Sequence, residues 1–144
     1  MRLLLLSAIV VTGLLAGCAT YRDVGMLTLN CPNGEKLYFR REVRGLNYDA
    51  LALIKDEDYC AQPDPNKAII FTSLDHDVLY KFVGNELHIY TMSDVRKGRT
   101  FSDKVSVILH TLTNQESIQL RDSYRERGLE QVDVPISKNI LCFN

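Results

Sequence analysis

Val78-Leu79-Tyr80-Lys81-Phe82-Val83, then Gly84-Asn85, then Glu86-Leu87-His88-Ile89-Tyr90-Thr91-Met92: this stretch decides the fold class. Two alternating apolar runs separated by two turn residues are a β-hairpin signal. Gly84 suits the first turn position of a type II′ turn, whose twist matches the flanking strands. That turn pairs Phe82 with Leu87, Tyr80 with Ile89 and Val78 with Thr91, and all six side chains share the face that turns to the core. Lys81 opposite His88, Leu79 opposite Tyr90 and Val83 opposite Glu86 take the other face. A slip of one residue would exchange the two faces, so the pattern specifies this register.

Working outward from the hairpin, the same period of two recurs. Ala68 to Leu74 is a short β-branched and aromatic run, and Pro63-Asp64-Pro65-Asn66 ahead of it is a loop. Further upstream, Met26 to Asn30 and Lys36 to Val43 read as strands joined through Pro32-Asn33-Gly34. Leu37, Phe39 and Arg41 alternate there with Tyr38, Arg40 and Glu42. Between Val43 and that loop lies a stretch of good helix formers, for which Asn47 supplies a cap. The expectation is a helix to about Tyr59 with Leu51 and Ile54 inward, and a strand at Ala50 to Ile54 is the alternative.

Downstream, Arg96-Lys97-Gly98-Arg99 reads as a basic turn. Lys104 to Thr113 carries Val105, Val107 and Leu109 on one face and Ile108, His110 and Leu112 on the other, which predicts a central, two-sided strand. Thr113-Asn114-Gln115-Glu116 matches a capping box, and Gly128 suits the residue after a helix, so a helix is expected between them. Ile118 and Leu120 would also suit a strand. Glu130 to Ile136 and Ile140 to Phe143 close the chain as short strands. The sum is an α+β, mostly antiparallel β domain, a small sandwich or barrel-like fold of hairpins with one or two helices.

The N-terminus has a different character. After Met1-Arg2, Leu3 to Leu15 is apolar apart from Ser7, Thr12 and Gly13, and small residues lead into Leu15-Ala16-Gly17-Cys18. A positive start, an apolar stretch and a small-residue cleavage site form a secretory signal. At fourteen residues, Leu3 to Ala16 is short of the roughly 20 needed to cross a bilayer. A cysteine placed directly after the small residues resembles the lipobox of bacterial lipoproteins. The resemblance implies cleavage before Cys18, with lipid on its sulfur and on the new amino group. Ala19 after the cysteine resembles lipoproteins sent to the outer membrane, facing the periplasm. The expected organisation is a signal peptide over 1–17, a lipidated tether over 18–25 and one globular envelope domain over 26–144. The seven residues from Ala19 to Gly25 would reach on the order of 20–25 Å, which keeps the domain near its membrane.

Removing the signal leaves 127 residues, 16 of them Lys or Arg and 18 Asp or Glu, for a net charge of −2. That is one domain's length, with no basic excess to bind nucleic acid. Beyond Cys18, the cysteines Cys31, Cys60 and Cys142 are odd in number in a compartment that permits disulfides. One bridge and one free thiol are expected. Cys31–Cys60 is preferred because the shorter loop closes at less entropic cost, with Cys31–Cys142 second. Three scattered cysteines without a C-x-x-C pair do not suggest a metal site, and nothing implies a cofactor.

Asp75-His76-Asp77 has the residue types of a metal or general-base site, but consecutive side chains on an extended segment point in opposite directions. His110, beside Ile108 and Leu112, reads as a partly buried histidine. Arg40-Arg41-x-x-Arg44 and Arg121 to Arg127 read as solvated faces balanced by Glu42, Asp122 and Glu126. No nucleophile-elbow, zinc-protease or phosphate-loop motif occurs. Cys31-Pro-Asn-Gly34-Glu-Lys-Leu37 resembles the opening hairpin of the small inhibitors of C-type lysozyme. The resemblance implies a β-barrel with a disulfide-bonded cysteine near this point. The inhibitory Ser-Gly-x-x-Tyr loop of that family is missing, since the chain has no Ser-Gly dipeptide. The expectation is therefore a lipid-anchored, non-catalytic binding or structural module of the bacterial envelope. It would be held to the membrane by its lipid, with an envelope protein or glycan as partner. The alternatives are an inhibitor of an envelope hydrolase such as lysozyme, and a thiol-dependent envelope enzyme.

Overall fold

A computed structural model describes residues 19–46, 48–72, 77–99, 101–102 and 104–143. The quoted hairpin forms as read. Strands β5 (Val78–Val83) and β6 (Glu86–Thr91) pair in the expected register from Val78 opposite Thr91 to Val83 opposite Glu86. Gly84 takes φ +58° and Asn85 does not take a left-handed φ, the pattern of a type II′ turn.

Around this hairpin the described strands make two sheets. The six-stranded sheet comprises β1 (Ala19–Asn30), β2 (Lys36–Arg44), β3 (Tyr48–Ile54), β4 (Ile69–Phe71), β7 (Val95–Lys97) and β10 (Ile136–Phe143). Its order is β10-β1-β2-β3-β4-β7, and every pairing is antiparallel. The four-stranded sheet has the order β8-β6-β5-β9, with β8 at Ser106–Thr111 and β9 at Glu130–Gln131. The fold is thus β-rich and built in two sheets; it does not close into a barrel.

Four expectations change. Residues 19–25 are the first half of β1, not a tether, because β10 supplies hydrogen-bonding partners from Ala19 and β2 adds them from Asp23. The stretch after Asn47 is strand β3, not a helix. Leu51 and Leu53 enter the core between the sheets, while Ala52 and Ile54 enter a second cluster on the far face. Burial on both faces, between two strand neighbours, outweighs the helix propensity of these residues. Arg96 and Lys97 belong to β7 and pair with β4 rather than forming a turn. Finally, β8 lies at a sheet edge and runs parallel to β6. Its apolar residues on both faces report cover above and below, which says nothing about how many strands flank it.

One large cluster joins the sheets: Leu29, Leu37, Phe39, Leu51, Leu53, Ile69 and Phe71 meet Val78, Tyr80, Leu87, Ile89 and Val107. Phe39 lies at its centre, fully buried, with its ring 6.1 Å from that of Phe71 and 5.9 Å from that of Tyr80. Helix α1 (Asn114–Ser123) covers the other face of the smaller sheet, where Leu120 and Leu129 pack with Leu79. The capping box is present: the Thr113 hydroxyl accepts from the Glu116 amide, and the Glu116 carboxylate accepts from the Thr113 amide at 2.8 Å. The turn after the helix closes at Gly128, φ +68°. There the Leu129 amide donates to the Tyr124 carbonyl and the Gly128 amide to that of Arg125.

Phe39→Ala is expected to cost about 3–5 kcal/mol in denaturant unfolding. Val83→Ala, at an exposed position beside the turn, should stay within about 0.5 kcal/mol of the parent.

Candidate functional site

The outer face of the six-stranded sheet carries polar residues where a strand face under cover would normally be apolar. On β2 the side chains of Arg40 and Glu42 are almost wholly buried and form an ion pair at 3.0 Å. The other Glu42 oxygen accepts from Arg44 Nε at 2.6 Å. Arg40 Nη2 donates to the Tyr59 carbonyl at 2.9 Å, and Arg22 Nη1 donates to the Cys60 carbonyl at 3.3 Å. Residues 55–68 thus run over this face with their backbone held by arginines. A disulfide fixes them there, joining Cys60 to Cys142 on β10, with 5.3 Å between Cα atoms. Under the cover lies a cavity of about 140 Å³ lined by Arg40, Glu42, Tyr48 and Gln62 among others.

This bridge replaces the preferred Cys31–Cys60 pair, and Cys31 is free and buried in the core. The reason is topological. Cys31 follows the far end of β1, on the order of 35 Å along the strand from Thr20, which pairs with Cys142. A small entropic advantage in loop length cannot bring together groups that the sheet holds apart. Burial and Glu35 push the Cys31 thiol up, which disfavours the thiolate needed for nucleophilic chemistry. The hairpin that resembles lysozyme inhibitors is present as β1 and β2, but its cysteine is not disulfide-bonded. Cys18, Asp75 and His76 lie outside the described residues, while Asp77 accepts a hydrogen bond from Gln131 Nε2 at 2.9 Å.

A second cluster forms on the outer face of the smaller sheet. The parallel pairing of β6 with β8 sets His110 opposite Tyr90, and the two rings stack 4.3 Å apart at 7°. His88 Nδ1 lies 2.9 Å from His110 Nε2, and the ring centres are 5.2 Å apart at 15°. That separation equals the nitrogen–nitrogen distance plus the two centre-to-nitrogen radii, so the rings lie nose to nose in nearly one plane. With His88 Nε2 directed at Glu86, 3.3 Å away, one tautomer set satisfies the chain. In it Glu86 accepts from His88, and His88 accepts from His110. Burial, His88 and Lys81 hold His110 below the usual histidine range. Among the described residues no hydroxyl or thiol bonds to either ring, and no three metal-ligating side chains converge. The sequence placed Lys81 opposite His88 correctly; the convergence with His110 depends on a parallel pairing that no hairpin signal announces.

No protein family, curated protein or solved structure matches the chain.

Three outcomes are expected. In a Cys18→Ser protein, unfolding without reductant exposes one maleimide-reactive thiol, that of Cys31, and reduction releases two more. Loss of the bridge, with 82 residues of sequence separation, should cost about 4.5 kcal/mol on the chain-entropy account. Glu42 is opposed by burial, yet the hydrogen bonds from Arg44 and Arg40 hold its carboxyl below the usual range. Its contribution is therefore present above the ordinary carboxylate pKa and is lost as pH falls through the depressed folded value. Glu42→Gln should destabilise by about 3 kcal/mol at neutral pH, because it leaves buried arginine charge unpaired, and should flatten that acid limb. In NMR titration His110 should titrate below a free histidine, and Lys81→Gln should raise it. Since the folded value is depressed, His110 lowers stability as pH falls from about 6.5 towards that value.

Proposed function

We propose that the protein is a lipid-anchored, non-catalytic binding or structural module of the bacterial envelope, held at the outer membrane and facing the periplasm. The observation that carries this is Leu15-Ala16-Gly17-Cys18 behind a short apolar stretch with a positive start. The Cys60–Cys142 disulfide is consistent with an exported chain, since such bridges persist in oxidising compartments. The buried, protonation-favoured Cys31 gives little support to the thiol-dependent enzyme, and its lack of a bridge removes one of the features that suggested a lysozyme inhibitor. The surface over β2 under its stapled segment is the region on which an envelope protein or glycan would act.

Expressed in a bacterium fed labelled palmitate, the chain should take up label and lose its first seventeen residues. Cys18→Ser should abolish both. Normal processing and labelling of that variant would overturn the proposal.

A further inference from the structure

The start of β1 is the one place where the fold meets the proposed anchor, and the surface there is unlike the rest. Ala19 pairs with Phe143 and Tyr21 with Leu141, so these four side chains share one face of a two-stranded ribbon. The ribbon extends past the end of β2, whose last pair with β1 joins Asp23 to Val43. On it Tyr21 is 71% exposed, Phe143 73% and Leu141 42%. Because β1 and β2 are antiparallel, the β2–β3 turn lies at this same end of the sheet. It presents Leu46, fully exposed, and Tyr48, with Arg44 lying over the Tyr48 ring at 5.0 Å. Five of the eight large apolar side chains exposed among the described residues therefore gather at one end of the molecule. Of the others, Val83 lies at the β5–β6 turn and Ile118 on α1, while Tyr59 precedes the Cys60 that is bridged to Cys142.

We propose that this end of the six-stranded sheet docks on the phospholipid bilayer, with Leu46, Tyr21, Leu141 and Phe143 entering the interfacial layer. The proposal rests on the lipoprotein reading. What selects a bilayer over another occupant is the chain itself. Cys18 is one residue, about 3.8 Å between Cα atoms, from Ala19. Ala19 is already paired in the sheet, so no slack separates a lipid on Cys18 from the apolar end. The residue types fit as well. Tyrosine rings sit with an apolar body in the acyl boundary and a hydroxyl among headgroups, leucine and phenylalanine go deeper, and arginine reaches phosphate. Lipid chains and apolar face then make two signals in one place, which hold the domain in a fixed orientation.

The chain contains no tryptophan, so one substitution installs a unique fluorescent reporter. Leu46→Trp and Tyr21→Trp report on the proposed surface, and Ile118→Trp on α1 is the control. Each full-length, lipid-carrying protein is reconstituted into vesicles of phosphatidylethanolamine and phosphatidylglycerol, with and without brominated acyl chains. Flotation comes first: protein that does not float with the vesicles removes the anchor and the docking together. With floating protein, Leu46→Trp and Tyr21→Trp should emit further to the blue than in detergent-free denaturant and lose intensity to brominated lipid, while Ile118→Trp loses none. Floating protein whose Leu46→Trp and Tyr21→Trp emission is untouched by bromine overturns the docking and leaves the anchor standing. A blue shift without quenching assigns the surface to a protein neighbour, such as a second copy, and overturns it equally.

Discussion

Strand β1 is held by β10 from Ala19 to Gly25 and by β2 over eight consecutive pairs from Asp23 to Asn30, and the two pairings overlap near Val24. The rest of the structure depends on this double pairing. It makes residues 19–25 part of the sheet and brings Cys142 beside Thr20. It also leaves Cys142 where the segment bearing Cys60 can reach it. A bulge in β10 at Asn139, where φ is +57° and the amide donates to Asp23, lets the pairing continue on either side of an irregular step. Without β10, the outer face would lose its staple and the buried Arg40–Glu42 pair would lose its cover.

That cover explains a charge pattern at odds with simple burial rules. A strand with Arg40 and Glu42 both under a lid is costly unless every charge is answered. Here Glu42 answers two arginines and backbone carbonyls of the lid accept from Arg40 Nη2 and Arg22 Nη1, while Arg40 Nε stays buried without a hydrogen-bond partner among the described residues. The disulfide restricts the lid in the unfolded chain, and the ion pairs specify where it lies in the folded one. Neither would fix the segment as well alone, since 55–68 has little apolar surface to bury beyond Ala68 and its neighbours.

The sequence made the local pairings legible and left the long-range ones obscure. The β5–β6 register follows from a two-residue turn and alternating side chains, and the α1 cap from Thr113 and Glu116, because both are decided within a few residues. Leu51, Leu53 and Ile54 misled for a physical reason: leucine and alanine favour helices in isolation, and only the flanking β2 and β4 make them a strand. The Cys60–Cys142 bridge and the His88–His110 contact both depend on strands far apart in sequence, one through β1–β10 and the other through the parallel β6–β8 pair. Residues 19–25 look polar and small enough for a linker, and their strand character comes from β10, joined by β2 only from Asp23.

The β-sheet reaches the residue beside Cys18, so a lipid on that cysteine, as proposed, would hold the domain against a membrane without a flexible spacer. Hydrogen exchange of the β1 amides in the full-length protein tests it most directly. The amides between Thr20 and Val24 that bond to β10 or β2 should exchange slowly, within reach of those at Leu27 and Leu29 in the same strand. Free exchange from residue 19 to residue 25, with protection beginning only at Met26, would contradict it and restore a tether.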